Sequence, residues 1–294
     1  MEKELFIRCG DGRTLAASLH GDGARAELVA VVAGATGVRR RLYRAYAEHL
    51  SSRGIATLTF DYRGVGGSRG GSLRRDPARL ADWGRLDLTA ALDWAGAELG
   101  ARRLCVVAHS VGGQVLPLVA RPERIDAVVY VAAQEGYFGH WPMPLRLVFL
   151  LLCAAAMPGL VRAAGFLPAR LLRLGEDLPP GVGRDWARWA RSRGYMQRAP
   201  LYDRIAAPAL AYDFADDPLA PRRAVDALLA SQPRLVVTRR HVTPGDLGVK
   251  HIGHFGFFRR ETGGALWAES ADWLLEVSAA GACSGEGSAV RGAS

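Results

Sequence analysis

Short hydrophobic runs and longer amphipathic stretches alternate along most of this 294-residue chain. The runs are continuous rather than alternating, which is typical of strands covered on both faces. They lie at Leu28–Ala33, Ala56–Phe60, Leu104–Ala108, Ile125–Ala132, Ala209–Phe214 and Leu235–Thr238. Helical patterns separate them at Arg41–Ser52, Leu80–Leu99, Gln114–Ala120, Arg222–Ala230 and Gly264–Val277. Strands separated by helices of this length predict an α/β fold with a mostly parallel sheet and helices on both faces.

Three segments depart from this alternation. At the N-terminus, Leu5–Arg8 and Thr14–Leu19 flank Gly10-Asp11-Gly12 and predict a β-hairpin. Residues 134–200 show helical pieces and no strand pattern, which predicts a helical cap inserted into the fold. Residues 279–294 are small and polar, which is typical of a disordered tail. The predicted organisation is therefore a first core part over 1–133, a cap over 134–200, a second core part over 201–278 and a tail over 279–294.

Charge and composition limit the classes of partner. The formal charge is +9, and all basic residues except Lys3 and Lys250 are arginine. Acidic residues are scattered throughout, and no stripe of arginines interleaved with aromatic residues stands out, so we expect no nucleic-acid partner. The cap segment holds nine arginines against four acidic residues and includes the apolar stretch 145–160. Peripheral contact with an anionic membrane or a lipid through the cap is therefore one hypothesis, and a solvated arginine face is the alternative.

The cysteines, the N-terminal residues and one apolar stretch indicate in which cellular compartment the protein is expected. The four cysteines are far apart without a C-x-x-C spacing, so we expect free thiols in a reducing cytoplasm. The acidic start of the chain lacks the apolar core of a signal peptide. The stretch 145–160 carries Arg146 and is interrupted by Pro158, which makes it shorter than the roughly 20 residues that span a bilayer. A buried or interfacial helix is the expectation for it.

The stretch Ala108-His109-Ser110-Val111-Gly112 follows a strand run and precedes a helical pattern. A serine that projects from the top of a sheet lies on a tight strand-to-helix turn, where only small residues fit two positions before and after it. Ala108 replaces the glycine usual at the first of these positions and is still small. This context predicts Ser110 as a nucleophile. For His109 the expectation is packing beneath the turn.

Five segments in this order resemble the α/β-hydrolase superfamily: GATGVRRRLYRAYAEHL, LTFDYRGVGGSRG, AHSVGGQ, FADDPLAP and IGHFGFFR. They are most similar to a group of bacterial predicted hydrolases of unassigned substrate. The resemblance covers nearly all of the chain. It implies the α/β-hydrolase fold, a twisted sheet with an inserted helical cap, and a catalytic serine, acid and histidine in that order along the chain.

The resemblance also assigns the acid and the base. The family's acid stands four residues before a proline, which points to Asp217, with Asp216 as the close alternative. The alternative role for either aspartate is to cap the following helix. The histidine is expected after the last strand, and His254 matches the family position better than His251.

Hydrolysis of an ester also needs two backbone N–H groups that stabilise the oxyanion. The residue after the nucleophile, Val111, is expected to supply one. The resemblance places the other on the loop after the Leu28–Ala33 run, at Ala35, with Thr36 as the alternative. The superfamily often has His-Gly where this chain has Ala33-Gly34, which leaves the donor open.

The expected activity is a serine hydrolase that cleaves a carboxylic ester, a thioester or a lipid acyl group through an acyl-enzyme. The alternatives are an acyltransferase with the same three residues and a non-catalytic binding module. The glycine-rich stretch 64–71 lacks G-x-x-x-x-G-K-[ST], and no histidine pair shows metal-ligand spacing, so we expect neither cofactor nor metal. The expected partner is a small ester or acyl substrate, and the sequence leaves the oligomeric state open.

Overall fold

The computed structural model describes residues 2–23, 26–196 and 202–286, the last six of them by their backbone alone. Eight strands form one sheet in the order β1-β2-β4-β3-β5-β6-β7-β8. From β4 to β8 neighbouring strands are parallel, whereas β1 and β2 pair antiparallel at one edge. The strands are β1 (Glu2–Arg8), β2 (Thr14–His20), β3 (Leu28–Ala33), β4 (Ala56–Phe60), β5 (Arg103–His109), β6 (Ala127–Val131), β7 (Pro208–Phe214) and β8 (Val236–Val242). This confirms the predicted fold class.

Eight α-helices accompany the sheet in the part of the chain that the structure describes. They are α1 (Arg44–Ser52), α2 (Thr89–Glu98), α3 (Val111–Val115), α4 (Leu145–Leu151), α5 (Met157–Ala164), α6 (Pro180–Arg191), α7 (Arg222–Ala230) and α8 (Arg260–Glu286). Short 3₁₀ turns extend α1 at its start and α3 at its end, and a π-helical segment, Trp83–Leu88, precedes α2.

The central strands are buried on both faces, as their continuous hydrophobic runs predict. Along β3, Val29, Val31 and Ala33 contribute to one apolar cluster, and Leu28, Ala30 and Val32 contribute to the other. This alternation follows from the two-residue period of a strand, with one cluster of buried side chains on each face of the sheet. Edge strand β8 differs, because most of its residues are exposed and only Val242 is buried.

Between β6 and β7 the described residues form helices and one isolated bridge but no strand of the sheet. Helix α4, a π-helical turn at Leu152–Ala156 and α5 form one helical run, Leu145–Ala164. The expectation that Pro158 interrupts this stretch was wrong. A proline lacks an N–H and displaces the carbonyl four residues earlier, and here the wider π turn just before it already interrupts that ladder. Residues 197–200, the end of the predicted cap, lie outside the described part.

Of the two alternatives for this stretch, a buried or an interfacial helix, the structure contradicts burial, and the expectation that the stretch is too short to span a bilayer was wrong. The run has 20 residues and a mean hydropathy of 2.1 over its most apolar window, of which 17% is buried. By length and composition alone, it is the one helix in the described ranges that could cross a membrane.

The C-terminal helix extends beyond its predicted end at Val277 and reaches Glu286. The prediction of a disordered tail from residue 279 is therefore wrong for 279–286. Alanine and glutamate, which are good helix formers, occur in this stretch and offset its glycines and serine. Residues 287–294 lie outside the described part. Cys9, Cys105 and Cys153 are buried free thiols, and the side chain of Cys283 is not described.

Candidate active site

Ser110 lies at the turn between β5 and α3 with φ 54° and ψ −116°. A non-glycine residue adopts such a conformation only where its surroundings impose it. Two glycines allow the chain to pack this tightly. A Cβ at Gly112 would lie 2.1 Å from the Ala33 carbonyl oxygen, and one at Gly113 would lie 2.7 Å from the Ala133 Cβ. The sequence around Ser110 thus forms the strained strand-to-helix turn that its small residues predict.

Asp217 and His254 are in direct contact. His254 Nδ1 donates to Asp217 Oδ2 at 2.7 Å, and both residues are buried. The other carboxylate oxygen, Oδ1, accepts from the backbone N–H groups of Leu219 and Ala220 at 2.8 and 3.2 Å. Because Nδ1 donates to the carboxylate, Nε2 of the neutral imidazole carries the lone pair. Asp217 thus stabilises the local turn, but α7 begins after Pro221 without a side-chain cap, so the alternative prediction that an aspartate caps this helix was wrong.

Asp216 has different partners. It accepts the backbone N–H groups of Ile252 and Gly253 at 2.9 and 3.0 Å, and His251 Nδ1 lies 2.6 Å away. Partial burial favours the protonated acid, but these contacts outweigh it and hold the pKa of Asp216 below its usual value. The geometry therefore favours Asp217 as the partner of His254. Asp216 anchors the loop that carries His254.

A cavity of about 300 Å³ brings Ser110 and His254 to one place. Both residues line it, although Ser110 Oγ and His254 Nε2 do not form a hydrogen bond with each other. Such nucleophile–base hydrogen bonds often tighten only with bound substrate. Most of the remaining wall is apolar and comes from the segment between β6 and β7: Phe138, Trp141, Phe149, Leu152, Met157 and Trp186.

The two predicted oxyanion donors differ in whether their backbone N–H groups are free. Val111 is the first residue of α3, where a helix leaves its N–H groups without intrahelical partners. The N–H of Ala35, by contrast, donates to Tyr43 Oη at 2.7 Å. The prediction of Ala35 as the second donor is therefore wrong in this arrangement, because its N–H is already occupied. Thr36 also lines the cavity, and its N–H has no hydrogen-bond partner in the described part of the chain.

A buried network of hydrogen bonds joins the loop after β3 to the loop that carries His254. Tyr43 Oη lies 3.0 Å from His109 Nδ1, and His109 Nε2 lies 3.0 Å from the carbonyl oxygen of His254. A carbonyl only accepts, so His109 carries its proton on Nε2, and Tyr43 donates to Nδ1 while accepting from Ala35. Burial, together with the nearby His254, keeps the pKa of His109 well below its usual value, so the ring is neutral.

This hydrogen-bond network was not predicted from the sequence. Only packing was expected for His109, and no role was expected for Tyr43. The pattern around His109 gives no sign of which polar groups will meet its two ring nitrogens. Tyr43 is 66 positions away along the chain and reaches His109 only through the fold.

Glu176 fixes the segment between β6 and β7 to two loops of the core. Its carboxylate accepts from the Arg39 side chain and, at 2.7 Å, from the backbone N–H of Gly66. Its own N–H donates to the Gly37 carbonyl at 2.8 Å. The loop that carries Thr36 is therefore attached to the wall of the cavity.

Comparison with known proteins agrees with this architecture. Residues 19–263 match the profile of the Alpha/beta hydrolase family, which is most of the chain. This chain belongs to the alpha/beta hydrolase family. Membership supports hydrolytic chemistry at a site of this kind.

Curated relatives of this family member are similar over a short stretch only. The chain is 30% identical over 105 residues to an uncharacterized 31.7 kDa protein in the traX-finO intergenic region of Escherichia coli. The matched stretch covers 35% of this chain and 35% of that protein. The chain thus matches about a third of the length of its curated relatives.

Solved structures resemble this alpha/beta hydrolase over nearly its whole length. A hydrolase from Pseudomonas aeruginosa has a TM-score of 0.58 at 22% identity, with 92% of this chain and 98% of that chain covered. An esterase from Thermogutta terrifontis has a TM-score of 0.59 at 15% identity, with coverage of 94% and 99%. A soluble variant of monoglyceride lipase from Saccharomyces cerevisiae has a TM-score of 0.67 at 12% identity, with coverage of 94% and 95%. At these identities the likeness concerns the fold.

Proposed function

We propose that this alpha/beta hydrolase cleaves carboxylic esters through an acyl-enzyme on Ser110. The observation that carries the proposal is the 2.7 Å contact between Asp217 and His254 at the cavity that Ser110 lines. A serine hydroxyl is a weak nucleophile unless a base takes its proton, and a carboxylate keeps that base in the correct tautomer. The buried carboxylate on Nδ1 leaves Nε2 of His254 free for this task.

In the first half of the proposed reaction, Ser110 Oγ attacks the ester carbonyl carbon while its proton passes to His254 Nε2. The carbonyl oxygen becomes negatively charged in the tetrahedral intermediate. The N–H groups of Val111 and Thr36 are the donors proposed to stabilise it, and one such donor contributes about 3–4 kcal/mol of transition-state stabilisation in well-studied enzymes. The carbon–oxygen bond to the alcohol then breaks, and His254 protonates the departing alcohol.

In the second half, water attacks the acyl-enzyme. His254 takes a proton from this water and returns it to Ser110 Oγ as the bond between the acyl carbon and the serine oxygen breaks. The carboxylic acid and the free serine result. Asp217 remains ionised throughout and stabilises the imidazolium that forms in each half.

The apolar wall of the cavity supports an acyl group as the recognised part of the substrate. Aromatic and aliphatic side chains such as Trp141, Phe149 and Met157 surround the space beside Ser110. Burial of a methylene group contributes about 0.8 kcal/mol, so we expect kcat/KM to rise about fourfold with each added methylene until the cavity is full.

Hydrolysis of p-nitrophenyl esters of increasing acyl length tests this function. We expect hydrolysis by the native protein and its loss, by about 10⁴-fold or more in kcat, in Ser110→Ala. Ser192→Ala is the matched control, because the Ser192 hydroxyl bonds the Arg188 carbonyl and does not line the cavity. Equal activity of Ser110→Ala and the native protein, or no hydrolysis of any ester by folded protein, would contradict the proposal.

A further inference from the structure

The outer face of the run Leu145–Ala164 is apolar and exposed. Of the ten large hydrophobic side chains exposed in the described residues, four lie on this run and a fifth lies just before it in the chain. They are Met143, Leu145, Leu147, Val148 and Leu151, which we call the outer patch, with exposed fractions from 38% to 65%. Monomeric soluble proteins rarely leave large apolar patches uncovered, so such a patch indicates a surface that meets a partner.

The same helical run is also apolar on its inner face. Phe149, Leu152, Cys153 and Met157 line the cavity that holds Ser110 and His254. With 3.6 residues per turn, Leu147, Val148 and Leu151 face outward while Phe149, Leu152 and Cys153 face inward. One layer of helix therefore separates the exposed outer patch from the apolar wall of the cavity.

The charge around the outer patch has one sign. Residues 136–175 contain four arginines and no aspartate or glutamate. Arg146 and Arg162 are exposed near the two ends of the helical run, and Arg173 is exposed on the loop that follows. None of these three makes an ion pair with a described residue. The Arg146 guanidinium lies over the Phe138 ring, 5.8 Å from its centroid, and no acidic side chain in the described residues neutralises its charge or the charges of Arg162 and Arg173.

We propose that the outer patch docks on an anionic lipid surface, with the helical run lying in the plane of the interface. A helix with an exposed apolar face and flanking arginines has the features of an interfacial helix. Anionic lipid headgroups attract the arginines, whereas a second copy of the chain, with the same +9 charge, would bring arginines against arginines. The docking does not depend on the proposed ester hydrolysis, so Ser110→Ala should bind membranes as the native protein does.

The packing of the helical run favours a position on the membrane surface rather than one across the bilayer. The inner face of the run lines the cavity and packs against α6, and Cys153, Met157 and Val161 are buried there. Crossing the bilayer would remove these side chains from the core and open the cavity. The exposed arginines near both ends would instead lie at the headgroups while the leucines between them enter the acyl region.

Flotation of the full chain with vesicles tests the proposal. The probes are vesicles of equal parts phosphatidylglycerol and phosphatidylcholine, and vesicles of phosphatidylcholine alone. We expect the native protein to float with the anionic vesicles and to bind them more weakly as salt is raised. The double variant Leu147→Glu/Leu151→Glu should lose this binding. The matched control is Val236→Glu/Val237→Glu, which introduces the same charges at exposed apolar positions of β8 and should keep it.

A second variant tests how much the arginines contribute to vesicle binding. Arg146→Gln/Arg162→Gln should weaken binding to the anionic vesicles by roughly 25-fold, since each arginine near an anionic surface contributes about fivefold. Thermal unfolding of every variant, at a midpoint near that of the native protein, shows that the fold is kept. No flotation of the native protein, or equal binding by the Leu147/Leu151 and Val236/Val237 variants, would overturn the proposal. A change of oligomeric state in the Leu147/Leu151 variant without vesicle binding by the native protein would assign the patch to self-association instead.

Discussion

At the scale of single residues, the two neighbouring aspartates offer a direct comparison. Asp217→Asn keeps the size of the side chain but replaces the carboxylate that accepts from His254 Nδ1 at 2.7 Å. An amide there favours the wrong imidazole tautomer, so we expect kcat for a p-nitrophenyl ester to fall by about 10³–10⁴-fold. Asp216→Asn is the matched control, because Asp216 contacts His251 and the backbone of 252–253 rather than His254.

For Asp216→Asn we expect a kcat loss of less than tenfold, since the amide oxygen can still accept one of the two backbone N–H groups. The measurement is kcat of both variants for the same p-nitrophenyl ester, by steady-state kinetics at equal folded fraction. A larger loss in Asp216→Asn than in Asp217→Asn would reverse the assignment of the acid.

A feature of the candidate site could be predicted from the sequence where the residues that determine it are immediate neighbours in the chain. The turn around Ser110 could be predicted because the small residues that it needs are its immediate neighbours. The choice of Ala35 failed because whether its N–H is free depends on Tyr43, eight positions along the chain, whose hydroxyl reaches it only once the 3₁₀ turn before α1 has folded against the loop after β3. The choice between Asp216 and Asp217 likewise needed the position of the His254 loop.

At the scale of elements, the junction of β5 and α3 depends on close backbone approach. In Gly112→Ala the new Cβ would lie 2.1 Å from the Ala33 carbonyl oxygen, which is backbone and cannot rotate away. We expect a loss of about 2 kcal/mol or more in the free energy of unfolding, measured by urea denaturation, because β3 or α3 must shift. Ester hydrolysis should fall as well, since Ser110 moves with this turn.

Gly264→Ala is the control for that substitution. Gly264 lies in α8 with open space at its Cβ position, so alanine there should stabilise the protein by about 0.5–1 kcal/mol through helix propensity. If Gly112→Ala were as stable as the native protein, the account of the turn would be incorrect.

Element types were more predictable from the sequence than element ends. The strands from Leu28 to Phe214 follow their hydrophobic runs to within a few residues, because burial on both faces leaves a continuous signal. The ends of the helical run at 145–164 and of α8 did not follow the expected rules. Pro158 lies just beyond a π turn, and glycines near the C-terminus lie inside a helix rather than after it.

At the scale of the whole molecule, the site depends on contact between the core and the segment that follows β6. The core supplies Ser110, Asp217 and His254, and that segment supplies most of the apolar wall. Glu176 holds the two together through Arg39 and the backbone at 37 and 66. The sequence predicted an inserted segment from the missing strand pattern, but it left open whether the apolar stretch 145–160 is a buried or an interfacial helix. Apolar composition alone does not distinguish a buried helix from an interfacial one.

Covalent labelling with a fluorophosphonate, followed by peptide mass spectrometry, shows whether Ser110 is an activated nucleophile. We expect one phosphonyl adduct, on Ser110, which disappears in Ser110→Ala and forms much more slowly in Asp217→Asn, where the base is no longer oriented. If the folded native protein stays unlabelled, or carries its adduct on another residue, Ser110 is not the nucleophile proposed above.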